Sequence, residues 1–196
     1  MGKKEKGPSY YDKKSEGALE PLAMKMYGKL YRCAADFLSQ VPKHNMILDL
    51  GCGVGRLARV LYEEGFKNYV GVDFSTGMIT KAREQVPKFK FIVANILSDE
   101  MNDLYKDCRT FVLLEVLEHI EKDIEVLRMI PQGSLVVISL PSYSAGGHVR
   151  YFASPKKVKV RYESILSFDI EKSKVVRNKK GNKIFVFSTY KKPEGN

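Results

Sequence analysis

The stretch from Met46 to Leu61, MILDLGCGVGRLARVL, passes from an apolar run through three glycines into a helical pattern. An apolar run closed by a glycine turn reads as a short buried strand, and apolar groups at helical spacing beyond the turn read as a helix. The rhythm then repeats. NYVGVDF (68–74) is a second strand, and STGMITKAREQV (75–86) is a helix with Ser75 or Thr76 as its cap. KFKFIVANI (88–96) is a third strand and RTFVLLEV (109–116) a fourth. EKDIEVLRMI (121–130) is a helix stopped by Pro131, and GSLVVISL (133–140) is a fifth strand. Alternation of this kind implies a parallel sheet with right-handed crossovers and helices on both faces, a Rossmann-like doubly wound α/β fold.

The ends of the chain break the rhythm. Residues 1 to about 17 are polar and read as loose, and LEPLAMKMYGKLYRCAADFLSQV (19–41) reads as a helix beside the core. ILSFDIEKSKVVRNKKGNKIFVFSTYKK (165–192) holds two extended runs joined by KKGN, so the sheet is predicted to end in an antiparallel hairpin. The 196 residues suit one domain. It divides into an N-terminal lid and helix (1–45), a cofactor-binding core (46–141), and a substrate loop, helix and hairpin (142–196).

Cys33, Cys52 and Cys108 are an odd, scattered set, which argues for a reducing compartment rather than a disulfide framework. No apolar segment approaches the length of a membrane span, and the N-terminus has charge without the apolar centre of a signal peptide, so a cytoplasmic protein with no membrane partner is expected. The net charge of +10 is uneven: residues 148–196 hold 13 Lys or Arg against 4 Asp or Glu, while the first 147 hold 20 against 19. That basic third is either a solvated surface or a docking face for nucleic acid.

The glycines mark a ligand site, because a glycine-rich turn after the first strand lets a ligand approach the backbone and aims helix N–H groups at it. A dinucleotide fingerprint, G-x-G-x-x-G, would place its third glycine at position 56, where Arg56 stands. The motif is D-x-G-x-G-x-G, with Asp49 two residues before Gly51. A carboxylate there repels a pyrophosphate and suits a cationic group, which favours S-adenosylmethionine with its ammonium and sulfonium. Asp73, at the end of the second strand, is placed to accept ribose hydroxyls.

ILDLGCGVGRLARVL, VGVDFSTGMITKAR, FIVANI, VLLEVLEHI and GSLVVISLP together resemble the successive motifs of the class I S-adenosylmethionine-dependent methyltransferases, especially the small-molecule group that includes ubiquinone-biosynthesis O-methyltransferases. The resemblance covers about residues 46–141. It implies a methionine moiety over Gly51, Cys52, Gly53 and Gly55 near Asp49, ribose on Asp73, and adenine between Phe74 with Met78 and the loop Ala94, Asn95, Ile96. Asn95 stands where the family usually has Asp. Glu115 resembles the position bordering both methionine and acceptor.

For catalysis, EVLEHI after strand four and PSYSAGGHVRYF after strand five lie at the sheet's carboxyl edge. Glu115, His119 and His148 are the candidate groups there, with His148 as acceptor-facing base or loop residue. Arg150 either pairs an anionic acceptor or holds its loop through Glu118 or Glu115. Tyr10, Tyr11 and Tyr27 form a lid or pack a helix. Glu115, Glu118, His119 and His148 also resemble the arrangement of metal-assisted methyltransferases, although the same stretch suits a helix start with its carboxylates near the dipole. No residue is assigned to a metal. Methyl transfer to O or N of a small molecule is expected. The alternatives are an RNA or protein acceptor docked on the basic third and a non-catalytic cofactor-binding subunit.

Overall fold

The computed structural model describes residues 4–17, 21–178 and 180–193, leaving the side chains of 21–27 outside the description. The helices are α1 (Pro8–Ser15), α2 (Pro21–Leu38), α3 (Arg56–Glu63), α4 (Thr76–Gln85), α5 (Asn102–Asp107), α6 (Asp123–Met129) and α7 (Pro155–Tyr162). The strands are β1 (Ile47–Leu50), β2 (Tyr69–Asp73), β3 (Lys90–Val93), β4 (Thr110–Leu113), β5 (Leu135–Pro141), β6 (Leu166–Ser167), β7 (Lys174–Arg177) and β8 (Lys183–Lys191).

The sheet runs β3-β2-β1-β4-β5-β8-β6, with β7 also paired to β8. Strands β1 to β5 pair in parallel, while β8 lies antiparallel to β5, β6 and β7. The doubly wound sheet with a terminal antiparallel hairpin is thus present. Every residue of β1, β2, β4 and β5 is buried, which is why these strands read as continuous apolar runs. Alternate residues face two separate cores. Leu48, Leu50, Phe111, Leu113 and Ile138 point into one. Ile47, Tyr69, Val112 and Val137 point into the other, against Leu30, Ala34 and Leu38 of α2 and Leu57 and Leu61 of α3. Each such large side chain removed from water stabilises the fold by about 1.5–3 kcal/mol before entropy is counted.

Two segments depart from the sequence reading. The N-terminal stretch expected to be loose forms α1, with Pro8 in its first turn, and packs on α4. It has no apolar stripe; polar bonds hold it. Ser75 Oγ and the Gly77 N–H both donate to Asp12 Oδ1, at 2.6 and 3.0 Å. A short 3-10 turn (Asp99–Met101) and α5 fill a segment read without structure. They are too short for a period to register, and Tyr105 fastens them, its ring stacked on Phe111 and its hydroxyl donating to the Ile96 carbonyl.

Candidate functional site

The chain runs from β1 to β2 and β3 on one side, then returns to place β4 on the other. The turns that leave β1 and β4 therefore diverge, and a cavity of about 1060 Å³ opens over their C-terminal ends. Gly51, Cys52 and Gly53 form its floor. Gly51 has φ +79, and a Cβ there would lie 2.5 Å from Val116 Cγ2, so glycine lets the β1 and β4 turns touch. Gly53 has φ +54 and nothing within 4 Å of a built Cβ, which leaves open space for a ligand. The expectation that this turn aims its N–H groups at the ligand is not met by the first residues. Gly51 and Cys52 both donate to the Val72 carbonyl, and Gly53 donates to Asp73 Oδ2. β2 lies one strand away and takes those donors, so the turn offers close approach rather than N–H groups.

Asp73 lines the cavity. Its Oδ2 accepts from Gly53 N–H at 3.0 Å and its Oδ1 from Ser75 N–H at 2.9 Å, with the Phe74 N–H as a further donor, which fixes the carboxylate while leaving it some acceptor capacity. Burial pushes its pKa up despite those bonds. Asp49 is elsewhere. It is 3% exposed, lies beneath the glycine turn outside the cavity lining, and accepts the Tyr69 hydroxyl proton at 2.5 Å. Burial drives its pKa up to about 7 against the opposing Tyr69 bond. Any effect of Asp49 on a cationic ligand is therefore exerted through the floor rather than by contact.

Phe74, Met78, Ala94, Asn95 and Ile96 all line one wall, as expected for a planar ring. Asn95 Oδ1 accepts the Leu97 N–H at 3.0 Å, so the amide also shapes its own turn. Gly55 caps α3 with φ +78 and stands against Ala82 of α4, away from the cavity. Tyr31 of α2 and Arg56 complete the rear wall.

The turn after β4 carries the remaining chemistry. Glu115 is the described non-glycine residue with positive φ, +58, a strained conformation that points its carboxylate into the cavity wall. Ser139 of β5 holds it twice. The Glu115 N–H donates to Ser139 Oγ at 2.8 Å, and that hydroxyl donates to Glu115 Oε1 at 3.1 Å. Burial raises the Glu115 pKa to about 7. His119 also lines the cavity, with Nδ1 2.9 Å from the Gly147 carbonyl; burial lowers its pKa to about 4, so the ring is neutral near pH 7. Glu118 is fully buried behind them and, foremost through burial and then through Glu115, its pKa is pushed well up.

His148 is buried and does not line the cavity. It stands behind His119, ring centroids 4.7 Å apart, with Nδ1 3.1 Å from the Tyr143 carbonyl. An acceptor-facing base at this position is not what the geometry provides. Nor does Arg150 reach an acceptor. Its guanidinium donates to the carbonyls of Leu117, Ile120 and Glu121 and pairs with Asp123 at 3.4 Å. The Val149 N–H donates to the Glu118 carbonyl at 2.8 Å. These bonds hold 117–121 as a turn before α6, so Glu118 and His119 do not begin that helix, and they lock the 148–150 loop beside it.

Of Tyr10, Tyr11 and Tyr27, expected to form a lid or to pack a helix, Tyr11 reaches the cavity. It lines the cavity, 5.3 Å from the Phe74 ring and 6.0 Å from His119, while Tyr10 packs edge-on against it. The Tyr27 side chain lies outside the described residues. Three contributors went unread in the sequence: Asp12, which docks α1, Ser139, which holds Glu115, and Asp123, which anchors Arg150. Ser139 and Asp123 had a signal, a polar residue within an apolar strand and an acid among apolar helix positions. Asp12 had none.

A family model described as a methyltransferase domain matches residues 47–131. Trans-aconitate 2-methyltransferase of Rhodopseudomonas palustris (strain HaA2) is 40% identical over 68 residues, which make up 33% of this chain and 27% of that enzyme. The chain thus aligns with only about a quarter of the length of the curated relatives it matches. Magnesium protoporphyrin IX methyltransferase from Synechocystis PCC 6803, solved with bound SAH, superposes with a TM-score of 0.69 at 13% identity over 94% of this chain and 95% of that one. The cyclase SpnF superposes with a TM-score of 0.72 at 11% identity over 100% of both chains. Such identities show a shared fold, and that fold also carries a cyclase, so activity has to be argued from the site.

Proposed function

We propose, for a chain whose fold is that of the class I S-adenosylmethionine-dependent methyltransferases and whose 47–131 segment matches their domain, that it transfers a methyl group from S-adenosylmethionine to oxygen or nitrogen of a small molecule. The observation that carries this reading is the cavity over the β1 turn, where Gly53 leaves open space, Asp73 is held rigid with acceptor capacity remaining and Glu115 stands on the wall. Those features fit the cofactor. A vicinal diol needs a fixed pair of acceptors, and a cation needs carboxylates nearby.

S-adenosylmethionine, when bound, supplies a methyl carbon on a sulfonium that is displaced in line. Asp73 would hold the ribose, Phe74 and Ile96 would enclose the adenine, and Tyr11 would close the cavity and exclude water from a step in which charge disperses. Glu115 stands on the wall as the group that accepts the proton a hydroxyl or ammonium loses; its raised pKa suits that role near neutrality. The test is calorimetry with S-adenosylmethionine and S-adenosylhomocysteine, followed by labelled methyl transfer into extract fractions and into trans-aconitate, the acceptor named for the partial relatives. Both nucleosides should bind, and Glu115→Gln should keep that binding while losing turnover. Absence of heat with either nucleoside overturns the cofactor reading; binding without any acceptor favours the non-catalytic subunit.

A second reading places RNA on the basic third, because α7 exposes Lys156 and Lys157 beside exposed Tyr151 and Val160. RNA affinity should then fall steeply with salt. Salt-insensitive or absent binding removes it.

A further inference from the structure

The cavity, about 1060 Å³, is at the upper end of the roughly 300–1,000 Å³ that pockets for one small ligand enclose, so it has room for a second molecule. With the nucleoside on Asp73 and Phe74, the part left over is bounded by Glu5, Lys6, Tyr11, Lys14, His119 and Ile120. The N-terminal arm roofs that part. At one end Asp12 accepts from Ser75 Oγ and the Gly77 N–H, and at the other Glu5 Oε2 accepts the Glu121 N–H at 2.8 Å. Between these ties Lys6 lies along the turn whose Gly147 carbonyl meets His119, its Cγ 3.6 Å from a Cβ built on Gly147. Lys14 Nζ stands 4.7 Å from the Tyr10 ring centroid and Lys6 Nζ 6.0 Å from the same centroid, so two ammonium groups gather over one ring. Neither has an ion pair or a hydrogen bond among the described residues. Arg56, the other cation of the lining, belongs to the rear wall and is hydrogen-bonded to Tyr31. Charge is thus sorted along the cavity, with Asp73 and Glu115 at the strand ends and the two lysines on the arm.

We propose that the arm side of the cavity binds the acceptor through an anionic group, carboxylate or phosphate, with Lys6 and Lys14 as its cationic contacts. Two ammonium groups brought to one ring repel each other, and an anion between them turns that repulsion into attraction. Inside a cleft the attraction is screened less than on open surface. An ammonium on a flexible stem takes carboxylate or phosphate as a point charge, without the fixed fork geometry of a guanidinium. That the bound molecule is the acceptor rests on the methyl-transfer reading; that it is an anion rests on Lys6 and Lys14. In the transfer, a lone pair on acceptor oxygen or nitrogen forms the bond to the methyl carbon, and the carbon–sulfur bond breaks with its electron pair passing to sulfur. Any proton released passes to Glu115. The lysines exchange no proton and hold the acceptor by its charge. Cationic nucleoside on the acids and anionic acceptor on the arm then set the two molecules head to tail.

The full chain is titrated by calorimetry with trans-aconitate, with inorganic phosphate and, as the uncharged control, with the trimethyl ester of trans-aconitate, first alone and then saturated with S-adenosylhomocysteine. At least one of the two anions should bind, with a Kd that rises with added salt, while the ester gives no heat. Heat with trans-aconitate alone assigns a carboxylate, and heat with phosphate alone a phosphate. Lys6→Gln and Lys14→Gln should each weaken anion binding roughly three- to fivefold, the range of exposed charge pairs, and leave melting and the S-adenosylhomocysteine Kd unchanged. Lys13→Gln, on the same helix but outside the cavity lining, should change none of these. Amine labelling of the wild type, read by mass spectrometry, should show Lys6 and Lys14 protected by the anion and Lys13 not, and it decides where a variant fails to fold. No heat with either anion, equal heat with the ester, or no effect of either lysine on Kd or labelling overturns the proposal. Absence of heat with S-adenosylhomocysteine sinks the methyl-transfer reading instead, and the titration without nucleoside still decides whether the arm binds an anion.

Discussion

Asp123→Asn tests how the site is held up. Asp123 is fully buried at the start of α6 and gathers donors from two elements. Arg161 gives a bidentate pair, Nε and Nη2 each at 2.8 Å, Tyr162 Oη donates at 2.7 Å, and Arg150 lies at 3.4 Å. The amide presents one acceptor oxygen instead of two charged ones. A buried Tyr162 hydroxyl left without its acceptor costs about 1–3 kcal/mol. Arg161 is 38% exposed, so solvent screens its pair, which contributes about 1 kcal/mol once discounted. The sum is about 3 kcal/mol, and at roughly 2–4 °C per kcal/mol for a chain of this size the melting temperature should drop by about 9 °C. The assay is urea denaturation with calorimetric melting. A second effect distinguishes scaffold from bulk packing. Arg150 loses an ionic partner, the 117–121 turn loosens, and His119 exchange broadening in NMR spectra should rise while the cores keep their shifts. Asp123→Asn with a loss under about 1 kcal/mol and an unaltered His119 signal would refute the claim that this buried carboxylate supports the site.

Three further outcomes follow from the same structure. Asp49 has its pKa raised from 3.8 to about 7, so its contribution to stability is fully present below about pH 4 and is lost as pH rises through 7; wild type should therefore lose up to about 1.4 kcal/mol per pH unit between pH 5 and 7 relative to Asp49→Asn. Parallel pH profiles from urea titrations would contradict this. Asp12→Ala removes the acceptor for Ser75 and Gly77, while Gly77→Ala drives a Cβ to 2.7 Å from Ser15 Oγ, so both should undock α1, speed proteolysis near Tyr11 and weaken S-adenosylhomocysteine severalfold. Unchanged Kd in both, with faster cleavage, would show that the lid covers nothing. Gly51→Ala should destabilise through Val116, whereas Gly53→Ala should fold with a penalty of about 1–2 kcal/mol and lose nucleoside binding; thermal melts and calorimetry separate them.

The parallel half of the sheet was legible because strands buried on both faces are written as apolar runs, and because Gly51, Gly53 and Asp73 serve a turn whose spacing is local in sequence. The helix α1 and its docking were not legible. α1 is held by Asp12 reaching a helix cap 63 residues away and the Gly77 N–H beside it, and polar bonds to one side chain leave no period. His148 was misplaced for a related reason. Its loop registers against the 117–121 turn through backbone carbonyls and Arg150, contacts that residue identity does not announce. Asp49 was recognised as an important acid, but that Tyr69 stands beneath it follows only from the pairing of β1 with β2.

The distribution of charge explains why these residues collect where they do. The chain carries a net +10, yet Asp49, Asp73, Glu115 and Glu118 lie at or just past the C-terminal ends of β1, β2 and β4, where burial raises the pKa of each. Strand ends around the reversal in strand order are the part of a doubly wound sheet that no crossover helix covers, so Asp73 and Glu115 there are shielded by protein yet open to a ligand, while Asp49 and Glu118 lie behind them. Carboxylates gathered in such a place destabilise one another and are poorly solvated, a burden that a purely structural role does not require. A positively charged occupant of the cavity would relieve Asp73 and Glu115, which line it, and would reach Asp49 and Glu118 only through the intervening wall. Lys6, Lys14 and Arg56 also line the cavity, so the acids favour a cation at the strand ends, over the β1 and β4 turns, while the rest of the lining is of mixed charge.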